Sequence, residues 1–328
     1  MGDVIVALVK SGVLIVAFIT TAAYLVYGER KVVSYMQVRV GPNRVGPFGL
    51  LQPLADVIKL VSKEDSRPAG RDDLLFVVAP AIMTICAIAA FAVIPVTPAF
   101  NVFGRTITGY ITNLNVGVLY IFAVTGMTAY GIVLGGWASN SKYSLLGAMR
   151  SAAQLISYEM SLGFSLVGVF ILAQSVNLNS IITAQHRVWF VLLQPLGFVL
   201  YVISATAEVN RAPFDLPEAE QELVAGYLTE YGGLKWGLYF LGEYVNMVTV
   251  SAIAATLFLG GWQGPLLPGF MWFLLKVGAM IFVFFWLRAT LPRLKYDRLM
   301  ALGWKVLLPL GLLNIAITAT AVVLLNNP

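Results

Sequence analysis

Eight runs of apolar residues, each close to twenty long and almost free of charge, limit what this chain can become. They fall at roughly 4–27, 75–96, 115–138, 153–174, 188–207, 236–258, 270–289 and 304–325. A helix rises about 1.5 Å per residue, so about 20 residues cross a hydrocarbon core about 30 Å thick. Strands of a membrane barrel would be about ten residues of alternating polarity, and these runs do not alternate. Inside a bilayer every backbone N–H and C=O must be paired within the segment, which unbroken apolar runs achieve as helices. The predicted fold class is therefore all-α, a polytopic membrane protein of eight transmembrane helices forming one integral membrane domain over 1–328. With 59% hydrophobic and 11% charged residues, no soluble fold could cover this much apolar surface with polar groups.

Charge is distributed as unevenly as hydropathy. Of the 21 Lys and Arg, seventeen lie in or beside the loops that follow runs one, three, five and seven; Arg105 and Arg187 lie on the opposite face, and Lys10 and Lys276 fall inside apolar runs. Basic loops stay in the cytoplasm. The inner loops are thus predicted at 28–74, 139–152, 208–235 and 288–303, with both termini on the outer, periplasmic side of a bacterial plasma (inner) membrane. Asp3 stands where a secretory signal would carry a basic head, so the first run is read as a retained span. On this reading the net charge of +5 reflects topology and anionic lipid, and no motif points to nucleic acid.

The chain has one cysteine, Cys86, and one histidine, His186. An iron–sulfur cluster needs several thiolates and a bis-His haem two histidines. No Gly-x-Gly-x-x-Gly opens a helix after a strand. No metal, haem or flavin is therefore expected in this chain, and electrons that pass here must be delivered by another subunit.

Two inner loops carry the remaining information. In the first, Gly41-Pro42-Asn43 and Gly46-Pro47 mark turns, after which Leu50, Leu51, Leu54, Val57, Ile58 and Val61 recur at helical spacing opposite Gln52, Asp56, Lys59 and Lys63. This predicts a short amphipathic helix, lying in the membrane interface or packed on protein. The second, Glu208–Gly233, holds six carboxylates between two apolar runs. Asp215 and Glu218 have the spacing of a capping box, which would open a helix at Leu216-Pro217 running to about Tyr227. On it Glu218 and Glu222 share a face and Glu220 points away. The segment is read either as a solvated acidic helix or as a structured acidic inner loop with proton chemistry.

Carboxylates inside the runs are rarer and more telling. Glu159, Glu208 and Glu243 sit on three different predicted helices, all in the inner half. One acid would suffice as an interhelical hydrogen bond, whereas three suggest a proton relay. Lys276 would either continue such a path or snorkel to the outer surface, and Lys10 is expected to snorkel.

The segments GERKVVSYMQVRVGPNRVGPFGLLQPLAD, GAMRSAAQLISYE and EVNRAPFDLPEAEQELVAGY resemble the quinone-site membrane subunit of respiratory NADH:quinone oxidoreductase, complex I, over essentially the whole chain. The resemblance implies a quinone substrate, ubiquinone or menaquinone, held at the interface with peripheral subunits, one of which carries the terminal iron–sulfur cluster. It implies further membrane partners, small subunits and antiporter-like ones, and coupling of quinone reduction to proton translocation. Position by position, it assigns Arg30, Arg39 and the Gly41-Pro42-Asn43 loop to the quinone's point of access. Arg211, Asp215, Glu218, Glu220 and Glu222 fall to the chamber wall, and Glu159, Glu208 and Glu243 to the acidic funnel. Two other readings compete: the corresponding membrane subunit of a proton-pumping hydrogenase, and a stand-alone proton-coupled transporter, which should show two related halves and broken midplane spans.

Overall fold

A computed structural model describes residues 2–66, 68–102, 105–215 and 225–326 of the chain. The protein is all-α apart from one small hairpin. Helix α1, Gly2–Met36, continues well beyond the apolar run that begins it, because Glu-Arg-Lys are good helix formers and Glu29 finds partners inside the bundle. After a 3-10 turn at Pro47–Gly49 comes α2, Gln52–Ser62, with Pro53 in its first turn. Helix α3, Asp73–Ala90, is capped by Asp72, whose carboxylate accepts from the N–H groups of Leu74 and Leu75 at 3.1 Å. Strands β1, Phe100–Val102, and β2, Arg105–Ile107, pair antiparallel at the far end of the bundle. The third pass is made of α4, Gly117–Gly126, and α5, Thr128–Ala138. Their junction lies where the Thr125 and Thr128 hydroxyls turn back onto the carbonyls of Ile121 and Thr125, an arrangement that bends helices.

Helix α6, Lys142–Ala173, takes in most of the predicted 139–152 loop. A short α7, Leu178–Ala184, leads to the fifth pass, which departs from expectation. Instead of one helix over 188–207 there are two, α8, Phe190–Leu193, and α9, Pro195–Glu208. Pro195 supplies no N–H and pushes Gln194 out of the helical region, to φ −129 and ψ 53. The gap is closed by side chains: Gln194 Nε2 donates to Thr318 Oγ1 at 2.6 Å, and Asn314 Nδ2 donates to Gln194 Oε1 at 2.9 Å. Then follow α10, Gly233–Phe258, α11, Gly269–Thr290, and a last pass of α12, Tyr296–Leu302, a π-helical turn at Gly303–Leu307, and α13, Leu308–Asn326. Among the described residues seven helical segments, not eight, are long and apolar enough to cross a membrane; the fifth pass joins the same two ends of the bundle in shorter pieces.

Helix α10 is the axis of the molecule. It is apolar all round, 89% of its most apolar stretch is buried, and it packs on α3, α11, α1 and α9. The peripheral passes α1 and α13 keep most of their apolar surface outward, as lipid-facing or subunit-facing helices do. The end of the bundle that carries the 37–51, 209–215 and 225–232 segments is the basic end. At the other end, Lys10 Nζ donates to Thr108 Oγ1 at 2.9 Å. Lys276 neither snorkels nor continues a carboxylate path. Its ammonium is buried, donates to the carbonyls of Gly261 and Gln263 at 2.9 and 2.6 Å, and lies 4.4 Å from the Trp189 ring centroid.

Helix α2 leaves Leu50, Leu51, Leu54, Val57, Ile58 and Val61 exposed. On the other side Asp56 accepts from Arg30 Nη1 at 2.8 Å and from Gln52 Nε2 at 2.9 Å, Pro53 is buried, and Lys59 and Lys63 stay exposed. The apolar face is thus not used in packing on this chain and remains free for an interface.

Candidate functional site

A cavity of about 510 Å³ opens at the basic end between the last turns of α1, the 39–42 turn, the 210–215 segment, α10 and α11. Four arginines, Arg30, Arg39, Arg211 and Arg288, and three carboxylates, Glu29, Asp215 and Glu243, line it. Of the residues singled out from sequence, it gathers Arg30, Arg39, Arg211, Asp215 and Glu243. Residues Glu218, Glu220 and Glu222, with most of the predicted acidic helix, lie outside the described residues.

Among the lining residues is Glu29, which the sequence analysis did not single out. It is 4% exposed. Tyr244 Oη donates to its Oε2 at 2.6 Å, Arg211 Nη1 donates to its Oε1 at 3.3 Å, and Arg288 pairs with the same oxygen. The Arg211 guanidinium also lies 4.3 Å from the Tyr244 ring centroid. Carboxylate, guanidinium and phenol thus lock α1, the 209–215 turn, α10 and α11 together. A charged pair taken out of water is tolerated only with such multiple contacts.

The 209–215 turn is built to carry Arg211 and Asp215. Asn210 adopts φ 52, and the N–H of Arg211 donates to Thr206 O at 3.3 Å, closing the end of α9. Gln154, fully buried on α6, donates through Nε2 to Ala207 O at 2.8 Å and to Phe214 O at 2.9 Å, bracing the turn from behind. On the outer side Arg293 Nη2 donates to Asp215 Oδ2 at 3.0 Å.

Glu243 is 7% exposed and accepts from Tyr227 Oη at 3.0 Å, so the foot of the acidic segment touches the cavity wall directly. Nearby, burial pushes the Tyr231 phenol up to about 12. It stays protonated across the physiological range and donates to Gly135 O at 3.3 Å.

Glu208 and Glu159 do not line the cavity. Tyr201 Oη donates to Val250 O at 2.7 Å, fixing the register of α9 against the antiparallel α10. Seven residues toward the basic end on each helix, two turns, bring Glu208 and Glu243 to the same level. Glu159 lies five residues beyond Gln154 on α6, about 7.5 Å further from the basic end. Gly126, beside the bend between α4 and α5, makes room for it: a Cβ there would lie 2.9 Å from Glu159 Oε1. Several buried polar atoms on the same helices have no hydrogen-bond partner among the described residues: Ser151 Oγ and Gln154 Oε1 on α6, Ser204 Oγ and Glu208 Oε2 on α9, and Asn246 Oδ1 on α10. Among the described residues no group of three His, Cys, Asp or Glu side chains gathers as metal ligands would.

A family model described as NADH dehydrogenase matches residues 9–319. The chain belongs to this family. It is 55% identical over 316 residues to an H subunit of the NADH-quinone oxidoreductase of Geobacter metallireducens, an alignment that covers 96% of each chain. It is 53% identical over 324 residues to the H subunit of the NADH-quinone oxidoreductase of Thermomicrobium roseum, covering 96% of this chain and 95% of that one. Within the family it therefore stands with the H subunits of NADH-quinone oxidoreductase, an oxidoreductase of several subunits located in the membrane. For such an H-type chain Glu29, Arg288, Tyr227 and Tyr244 are the site residues that sequence reasoning missed. A charge cluster at the end of a span reads as an anchor, and nothing local to Glu29 announces Arg211, 182 residues on.

Proposed function

We propose that the cavity is this subunit's share of a quinone chamber, and that Glu243, Glu208 and Glu159 carry protons between it and the rest of the membrane domain. The observation that carries this reading is the placing of Glu243 in one cavity with four arginines and Glu29, at the same level as Glu208, whose Oε2 has no hydrogen-bond partner among the described residues. Reducing a quinone adds negative charge to its oxygens and consumes two protons. Arginines around the head group would stabilise that charge, and an acid within reach would supply a proton. The buried polar atoms on α6, α9 and α10 would hold water, so transfer need not rely on direct contact.

On this reading the basic end faces the cytoplasm and receives the peripheral subunits, among them the carrier of the terminal iron–sulfur cluster. Loops 28–74, 139–152, 208–235 and 288–303 form that face, and both termini lie in the periplasm. Arg30 and Arg39, exposed at the rim, shape the access route beside α2. Glu218, Glu220 and Glu222 are assigned to the chamber wall by resemblance. Small membrane subunits and antiporter-like subunits receive the coupling.

The test is replacement of Glu159 and Glu243 by Gln, which keeps shape and hydrogen bonding but removes the titrating proton. Each variant should assemble, keep NADH oxidation by an artificial acceptor, and lose quinone-linked turnover and proton pumping by about a hundredfold, the lower end of a general acid's typical contribution. Asp replacements should retain more. Parent rates of pumping in both Gln variants would leave the acids with a structural role alone.

A further inference from the structure

A second hollow, separate from the cavity, runs between α9 and α11. It holds about 280 Å³, and Phe198, Val202 and Phe214 face Met280, Val283 and Leu291 across it. Thr206 brings the one hydroxyl on its walls, and that group is turned onto Val202 O at 2.7 Å. From Phe198 to Thr206 the groove follows α9 for about 12 Å. It then reaches the basic end at Pro213 and Leu291.

At that point the chain becomes cationic. Leu294 N–H donates to Pro213 O at 3.0 Å, which fixes the 291–298 segment beside the groove. Arg293, Lys295 and Arg298 are exposed there, and Arg288 keeps 41% of its side chain exposed; Asp297 is the single acid between residues 288 and 298. An apolar trough in the membrane half with a positive mouth at the basic end matches one kind of molecule.

We propose that this groove binds an anionic phospholipid, one acyl chain lying along α9 and α11 and the phosphate held at Lys295 and Arg293. A partner helix, about 10–12 Å across with its side chains, would lie over the hollow rather than in it. Bulk lipid tails are as apolar as the groove, so contact with its walls gives no preference among lipids. Selectivity must come from the mouth, where each Lys or Arg near an anionic surface adds roughly a fivefold factor. A quinone head group would find nothing to accept a hydrogen bond from on these walls. The groove's back wall, Phe214, immediately precedes Asp215 of the cavity, so the lipid would also support the turn that carries Arg211 and Asp215.

The whole complex, isolated through a tag on this chain, should be reconstituted in bilayers containing phosphatidylglycerol or phosphatidylcholine with a photoactivatable group on the acyl chain. After irradiation, adducts are mapped on peptides of this subunit. Peptides containing Val202 and Val283 should be labelled at least fivefold more by phosphatidylglycerol than by phosphatidylcholine. Lys295→Glu should bring that ratio close to one without abolishing labelling, and Val202→Trp, which fills the groove, should remove both signals. Equal labelling of the unaltered complex by the two lipids overturns the proposal. So does absence of label, which would mean that a neighbouring subunit covers the groove, or loss of label on adding quinone, which would assign it to the quinone tail.

Discussion

Removing one partner of a buried ion pair costs about 3–5 kcal/mol, because the other charge stays behind in a medium that solvates it poorly. Glu29 is such a partner twice over, to Arg211 and to Arg288. Glu29→Gln keeps the hydrogen bond from Tyr244 but leaves two guanidiniums against a neutral amide. We expect at least a tenfold loss of quinone-linked turnover in assembled complex, with Glu29→Asp less affected, read as the ratio of quinone to artificial-acceptor activity. Turnover at the parent level would mean that the cavity works without this charge. A second expectation concerns Gly126. Alanine is the better helix former by about 1 kcal/mol, so Gly126→Ala should not weaken α4 as a helix. Its methyl group, however, would stand 2.9 Å from Glu159 Oε1 and must displace that carboxylate. Assembly should be retained while pumping per electron falls; a silent Gly126→Ala would remove Glu159 from the path. The placement of residues charged inside an apolar run, Glu159 and Glu243, was legible in the sequence. Those defined by a distant partner, Glu29 and Arg288, were not, since local spacing carries no information about a contact 182 residues away.

Elements show the same division. Hydrophobic run length located the seven segments that, among the described residues, are long and apolar enough to cross, and periodicity located α2, whose exposed Leu54, Val57, Ile58 and Val61 are the residues it singled out. Run length failed at the interruption of the fifth pass, because Gln194-Pro195 sits inside a run apolar enough to read as continuous. The warning was there in the rule that the residue before a proline leaves the α region. What permits the break is remote: Asn314 and Thr318 on α13 satisfy Gln194. Gln194→Leu keeps most of the volume, leaves Asn314 Nδ2 without its acceptor and reduces Thr318 Oγ1 to its bond to Asn314 O. Interhelical hydrogen bonds in membranes are worth about 0.6–2 kcal/mol each. The variant should therefore lower the thermal denaturation midpoint of the complex by a few degrees with little change in turnover below it. An unchanged midpoint would show that the Pro195 backbone alone sets the break.

At the scale of the whole molecule, the number of crossings decides on which side each end of the chain lies. Among the described residues seven helices are long and apolar enough to cross. If they alone crossed, the two termini would lie on opposite sides of the membrane. We propose that the interrupted pass supplies an eighth crossing, since Phe190 packs at the end where α10 finishes while Glu208 lies level with Glu243 at the other. The Gln185 side chain donates to Thr256 O at 2.9 Å and Gln154 to Ala207 O at 2.8 Å, pinning the two ends of this stretch to opposite ends of the bundle. Eight crossings put both termini on one face, and in the orientation we propose the seventeen-to-two division of basic residues makes that face the periplasm. A reporter active only in the cytoplasm, fused after Asn326 in one strain and before Gly2 in another, should be silent in both. A reporter placed in the 291–295 segment should be active. Activity at one terminus and silence at the other would mean that α8 and α9 re-enter without crossing. The carboxylates of Glu208 and Glu243 would then no longer be reached from the cytoplasmic side by the route their common level suggests, and the proton path would have to be drawn from the opposite face.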